Sequence, residues 1–208
     1  MVYNSVGTVI DAALADTSAA ATDAKDITAY TPVFTTGTSI SGLVMSHAWD
    51  HDIVRYADGS IAILGQARVS GSGTNDPDKR MLYFRFDGSS WKATYLVKGG
   101  GKLFADEQDY IGIGALDPDN PHVIYVSTTY DPRDDTTKTA KHEIYMGVTC
   151  DKGATWSWTP ITQGSTMDNL RPVVPKWDAS HTALLWMRGS YTSAQSFATS
   201  IVGTIAGP

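Results

Sequence analysis

An all-β fold follows from three features of this sequence. From Gly42 onward, short extended runs recur roughly every eight to twelve residues, bounded by clusters of Gly, Pro, Asp and Ser. No stretch between them carries the apolar spacing of an amphipathic helix. The composition agrees, since 19 glycines, 6 tryptophans, 10 tyrosines and many threonines suit strands joined by tight turns.

Taken in order, the clearest runs are Ser60–Val69, Arg80–Phe86, Trp91–Val97, Val123–Tyr130, His142–Thr149, Trp156–Thr162, Arg171–Trp177 and Thr182–Arg188. Each is rich in the β-branched and aromatic residues that fit a pleated, half-buried surface. Residues 1–41 differ and read as an N-terminal linker or edge segment. Within them Ala12–Lys25, rich in Ala, Asp and Thr, suits a short helix or a linker.

The runs repeat. Segments beginning at His51, Tyr110 and Arg171 align: each is an extended run that reaches an aspartate (Asp58, Asp117, Asp178), turns, and enters a strongly apolar strand. The copies lie about sixty residues apart. After the first two come a third strand and a fourth with a tryptophan near its start, Trp91 and Trp156. A four-stranded antiparallel unit in tandem describes a propeller blade. Residues 42–208 are therefore expected to form a partial β-propeller of about three blades. A sandwich is the alternative, and it gives no reason for the matched offsets. Rings typically need about four to eight blades, so the chain is expected to be part of a longer protein, its C-terminal half, or to complete a ring with another copy of itself.

Composition excludes several classes of function. Apolar residues make up 42% and charged residues 18%, which is globular and not disordered. A formal charge of −6 argues against a nucleic-acid partner, which needs a clustered basic face. No run of about 18 apolar residues would span a membrane. The first residues lack the basic start and apolar stretch of an export signal. The single cysteine, Cys150, has no internal disulfide partner and, as a small apolar group in a strand, is expected to be buried.

The sharpest motif is Thr149-Cys150-Asp151-Lys152-Gly153-Ala154-Thr155-Trp156, which fits the Asp-box pattern Ser/Thr-x-Asp-x-Gly-x-Thr/Ser-Trp at every fixed position. It describes a hairpin turn in which the aspartate accepts backbone N–H bonds, the glycine supplies an unusual φ and the tryptophan packs between sheets. A looser copy, Phe86-Asp87-Gly88-Ser89-Ser90-Trp91, stands in the same place one repeat earlier. Such a box is a folding device, so Asp151 and Trp156 are not site candidates.

On these residues the chain resembles the Asp-box, or bacterial neuraminidase repeat, propellers. It is most similar to bacterial proteins of that kind related to polysaccharide lyases of the ulvan-lyase type. The likeness is also carried by Glu107-x-Asp109-Tyr110-x-Gly112-x-x-Ala115-Leu116-Asp117-Pro118, by Lys141-His142-Glu143-Ile144, by Asp168-Asn169-Leu170-Arg171-Pro172 and by Leu185-Trp186-Met187-Arg188-Gly189. The resemblance implies further blades before this chain begins, an extracellular or periplasmic location, and a polysaccharide or other glycan as partner.

In a propeller the first strand of each blade lines the central channel, and ligands bind at one mouth. The alignment places His51, Tyr110 and Arg171 at equivalent positions of three successive first strands, accompanied by His47, Asp50, Glu107 and Asp109. That set suits β-elimination at a uronic acid. Arg171 would clamp the carboxylate, His51 or His47 would act as base, and Tyr110 would act as base or as proton donor to the leaving oxygen. In the lyases this chain resembles, histidine, tyrosine and arginine fill such roles. A sialidase-like hydrolase would reuse Tyr110 as nucleophile with Glu107 or Asp109, and Arg171 with Arg188 or Arg80 around the substrate carboxylate. A non-catalytic glycan-binding or adhesion module is the third alternative.

The remaining candidates have structural explanations beside the chemical ones. Arg188 suits a salt bridge between blades as well as a substrate contact, and Arg171 suits pairing with Asp109 or Asp168. His142-Glu143 reads as a structural hydrogen-bonding pair, and His122 and His181 as turn residues. No cofactor is expected. A structural zinc at His47-x-x-x-His51 or a calcium at Asp131, Asp134 and Asp135 is the exception left open, although i,i+4 spacing does not bring ligands together on a strand.

Overall fold

The computed structural model describes residues 32–177, 180–193 and 195–206. Ala12–Lys25 and Asp178 lie outside them. Every regular element among the described residues is a strand: β1 (Ser39–Ile40), β2 (Leu43–Arg55), β3 (Ile61–Val69), β4 (Lys79–Phe86), β5 (Trp91–Lys98), β6 (Gly114–Leu116), β7 (Val123–Tyr130), β8 (Lys138–Val148), β9 (Ser157–Pro160), β10 (Asp168–Val173), β11 (Thr182–Ser193) and β12 (Ser196–Ala206). They pair antiparallel, in chain order, into three sheets: β1–β5, β6–β9 and β10–β12. The all-β expectation holds, and each expected run overlaps a strand, although Arg171–Trp177 leaves β10 at Val173 and Trp156–Thr162 shortens to β9. The uniform four-strand count does not hold. β1 adds a fifth strand to the first sheet by pairing Ser39 with Val44 and Ile40 with Leu43, and the third sheet has three described strands.

Apolar alternation explains how the sheets stack. On β3, Ala62 and Leu64 face one core and Ile63 and Ala67 another, so both faces of the first sheet are covered. The largest core lies between the first and second sheets. Leu64, Met81, Tyr83 and Val97 meet Ile111, Leu116, Ile124, Val126 and Tyr145 there. On its other face, Ile63, Leu82 and Phe84 are closed over by Val33 and Phe34. Tyr125 and Ile144 of the second sheet pack on Leu184 and Trp186 of the third. Among the described residues nothing covers the far face of the third sheet, where Phe197 is 63% and Ile201 69% exposed.

The Asp box forms the β8–β9 turn. Asp151 Oδ1 accepts from Thr155 N at 2.8 Å and Thr149 Oγ1 at 2.8 Å, and Oδ2 accepts from Thr155 Oγ1. Those bonds hold the Asp151 carboxylate down at about 2. Gly153 takes φ +90, and a Cβ there would stand 2.3 Å from the Tyr83 ring of the first sheet. Trp156 meets the same ring edge-on at 5.1 Å. The box therefore joins two sheets as well as turning a hairpin. The looser copy at β4–β5 works alike, with Asp87 Oδ1 accepting from Ser89 N and Ser90 N. Cys150 sits in the β8–β9 turn and is exposed, contrary to expectation. It occupies a variable position of the box, whose side chain the turn directs outward.

Antiparallel neighbours place successive connections at alternate ends. Loops 70–78, 99–113, 131–137 and 161–167 gather at one end, and the turns after β2, β4, β6 and β8 at the other.

Candidate functional site

At the loop 99–113 end lies a cavity of about 390 Å³ whose walls include His51, Tyr110 and Arg171. Asp50, Glu107, Asp109, Gln66 and Trp49 complete its polar and aromatic lining. Strands β2, β6 and β10 meet beneath it. Leu116 N donates to Asp52 Oδ2 at 2.9 Å, and Arg171 N donates to Gly112 O at 2.9 Å.

Irregular pairing aims two of these side chains. β2 pairs with β3 as Asp50 with Gly65 and then Asp52 with Leu64, so His51 is the extra residue of a β-bulge. Gly65 makes room for it, because a Cβ there would stand 2.5 Å from Trp49 O. On β10, Leu170 pairs with Met187 and Val173 with Leu185, so Arg171 and Pro172 together oppose one residue. Arg171 has φ +52, in the left-handed region that non-glycine residues rarely adopt. Such devices recur where a sheet re-aims a side chain for function.

The guanidinium of Arg171 is held by aromatic rings. It lies 4.8 Å from the Tyr110 ring centre and 5.6 Å from that of Tyr191, and Nη2 donates to the Tyr110 hydroxyl. Phe104 stacks on Tyr110 at 4.7 Å and meets Tyr191 edge-on at 4.8 Å, closing the group from behind. His51 Nε2 faces Gln66 Oε1 at 3.3 Å. Burial, with a smaller push from the Arg171 charge, pulls the His51 imidazole down to about 4, against the Gln66 contact that favours its proton. It is neutral at pH 7. Burial pushes the Asp50 and Asp52 carboxyls up. Two buried polar atoms of this group, His51 Nδ1 and Arg171 Nε, have no hydrogen-bond partner among the described residues.

The other site candidates divide. Glu107 lines the cavity and is exposed. Asp109 also lines it, but its carboxylate is gripped by both Nε and Nη2 of Arg68. His47 is the extra residue of a second β2 bulge; it is exposed, stacks on Trp49 at 6.2 Å and lies outside the cavity lining. Arg188 sits on β11 opposite Asn169, exposed and also outside the lining. The pairing expected of Arg171 with Asp109 or Asp168 is replaced by its contacts with the two tyrosines. Asp168 instead meets His142 Nδ1 at 2.9 Å and Lys141 Nζ at 3.4 Å.

Sequence reasoning missed Gln66, Trp49, Arg68, Phe104 and Tyr191. Gln66 carried a signal, a polar residue inside the apolar run of β3; Tyr191 carried none.

The acidic clusters considered for metals are occupied by protein donors. Asp131 pairs with Arg133, Asp134 accepts from Thr136 N and Thr137 N, and Asp135 accepts from Tyr95 Oη and Lys98 N. Glu143, beside His142, accepts from Thr162 Oγ1 and from Ser165 N and Oγ. In comparisons with known proteins, no family model and no curated protein matches the chain.

Proposed function

We propose that the three sheets are successive blades of an Asp-box β-propeller whose channel mouth binds an acidic polysaccharide and cleaves it by β-elimination. One observation carries this reading: His51, Tyr110 and Arg171, about sixty residues apart along the chain, line a single cavity. The blade reading is supported by the contacts among β2, β6 and β10 and by the Asp-box turns between third and fourth strands.

The chemistry assigns one role to each residue. Arg171, fixed by two tyrosine rings, receives the uronate carboxylate and withdraws charge as the neighbouring carbon loses its proton. His51, neutral and in the cavity wall, takes that proton. The released electron pair forms the ring double bond as the C–O bond to the leaving sugar breaks. Tyr110, whose oxygen accepts from Arg171, gives its own proton to that leaving oxygen. Trp49, 40% exposed at the rim, offers a flat apolar surface to a sugar ring.

A sialidase-type reading fits less well. The carboxylate next to Tyr110, that of Asp109, is bound to Arg68, and Arg171 is the only arginine lining the cavity among the described residues. Arg80 is bound to Asp78.

Digestion of ulvan, pectate, alginate and hyaluronan, followed by ultraviolet absorbance of unsaturated uronate ends, tests the proposal. Absorbance that grows with time and is lost in His51→Ala supports elimination. Binding without absorbance reduces the function to a glycan-binding module. Turnover of a fluorogenic sialoside would replace elimination with hydrolysis.

A further inference from the structure

A second cavity, of about 340 Å³, opens at the same end of the sheets, between loops 70–78 and 99–113 and the adjoining ends of β7 and β8. Its walls include Lys98, Lys138, Tyr130, Gly100, Asp76 and Lys79. The acidic groups there are already engaged. Asp76 Oδ1 accepts from Lys79 Nζ at 2.8 Å and Lys102 N at 3.1 Å, and Asp78, also in the wall, is gripped by Arg80.

The lysines are placed differently. Lys98 Nζ lies 5.1 Å and Lys138 Nζ 5.8 Å from the centre of one ring, that of Tyr130. Lys98 Nζ donates to a neutral carbonyl, Asp135 O, at 2.9 Å. Neither ammonium pairs with a carboxylate among the described residues. Two like charges drawn to one ring repel each other, and an anion between them would turn that repulsion into attraction. Beneath Gly100, Thr129 Oγ1 is buried without a partner among the described residues; a Cβ on Gly100 would stand 2.7 Å from it.

The two cavities share a wall. Loop 99–113 contributes Gly100 to this one and Glu107, Asp109 and Tyr110 to the other. Lys79 Nζ holds Gln108 O at 2.8 Å from one side, and Gln66 Nε2 holds Asp109 O at 2.5 Å from the other. Loop 99–113 is thus the partition between the cavity of Arg171 and that of Lys98 and Lys138.

Resting on the acidic-polysaccharide reading, we propose that Lys98, Lys138 and Tyr130 form an outer subsite for the same chain. It receives an anionic substituent, carboxylate or sulfate, of a sugar beyond the one on Arg171. The compact ammonium charges suit either group.

Calorimetric titration with hyaluronan oligosaccharides, from disaccharide to octasaccharide, and with chondroitin sulfate oligosaccharides of the same lengths tests this. Wild type, Lys98→Gln/Lys138→Gln and Lys98→Arg/Lys138→Arg are compared, with melting curves to check folding. The expected result is an affinity that steps up with length in wild type. The Gln pair binds the disaccharide as wild type does, loses the step by about tenfold with a shallower salt dependence, and the Arg pair restores it. A step confined to the sulfated series identifies sulfate as the group received; a step in both identifies carboxylate. A step that survives the Gln pair overturns the outer subsite and leaves the central site standing. Equal loss at every length, with melting unchanged, also overturns it by placing the lysines in the central site. If wild type binds neither series at any length, nor oligosaccharides of ulvan, pectate or alginate, the acidic-polysaccharide reading falls and the subsite with it.

Discussion

The guanidinium of Arg171 lies 4.8 Å from the centre of the Tyr110 ring and also donates to that residue's hydroxyl. On the proposed reading, one residue therefore holds the anion-binding group in place and presents a proton beside it. The two functions separate by mutation. Tyr110→Phe keeps the ring under the guanidinium, so binding of acidic oligosaccharide changes by less than about threefold. Elimination falls by about a hundredfold or more, the range for losing a general acid. Arg171→Lys does the reverse and weakens binding by about tenfold, because an ammonium neither forks nor stacks as a guanidinium does. Calorimetry beside a rate assay checks both.

His51 sets a pH dependence. Its imidazole takes up a proton near its ordinary value of 6.5 in the unfolded chain but only near 4 when folded. Between those values the unfolded state binds more protons, so stability falls as pH drops from 6.5 through 4. The contribution is on the order of 3 kcal/mol. His51→Gln is expected to flatten the melting temperature against pH across that window. Asp168 acts lower. Burial opposes its charge, but bonds from His142 and the charge of Lys141 hold it at about 2, so its stabilisation disappears only below its ordinary 3.8. The elimination rate should likewise keep His51 in its basic form down to about pH 4, without the fall near 6.5 of an exposed histidine.

The strands of this fold were legible because β-branched and aromatic runs such as Ile61–Val69 have no other way to bury both faces. The convergence of His51, Tyr110 and Arg171 was legible through their repeat positions. The bulges were not. A single extra residue at His51 or Arg171 flips which face a side chain joins, and no local composition announces it. The same holds for contacts fixed only on folding. Arg68 takes Asp109 from the site, and Tyr191 reaches Arg171 from the far end of β11. His47 is a candidate as a neighbour of His51 along the chain and Arg188 as a further arginine for a substrate carboxylate, and both are exposed and outside the cavity lining.

The Asp box predicts a loss of stability without a loss of chemistry. Gly153→Ala asks a side chain to adopt φ +90 and to enter the Tyr83 ring. Both effects act at the turn end, away from the cavity. A destabilisation of about 2 kcal/mol or more is expected in urea titration, with wild-type oligosaccharide affinity well below the transition.

Glu143 tests whether the polar layer between the second and third sheets supports Arg171. Its fully buried carboxylate accepts from Thr162 Oγ1 at 2.6 Å, Ser165 N at 2.7 Å and Ser165 Oγ at 2.7 Å. Asn169 extends the layer, donating to His142 O at 3.1 Å and accepting from Trp186 Nε1 at 2.9 Å. Asn169 lies on β10, two residues before Arg171. Glu143→Ala strands several donors at once and is expected to cost about 3 kcal/mol or more. Glu143→Gln keeps the shape but turns an amide N–H toward those donors, so it should fall between Ala and wild type. If the layer also fixes the bulge that carries Arg171, both variants weaken oligosaccharide binding even where they are fully folded. Calorimetry well below each variant's melting temperature separates the outcomes: unchanged affinity assigns the layer to stability alone, and reduced affinity assigns it to positioning Arg171.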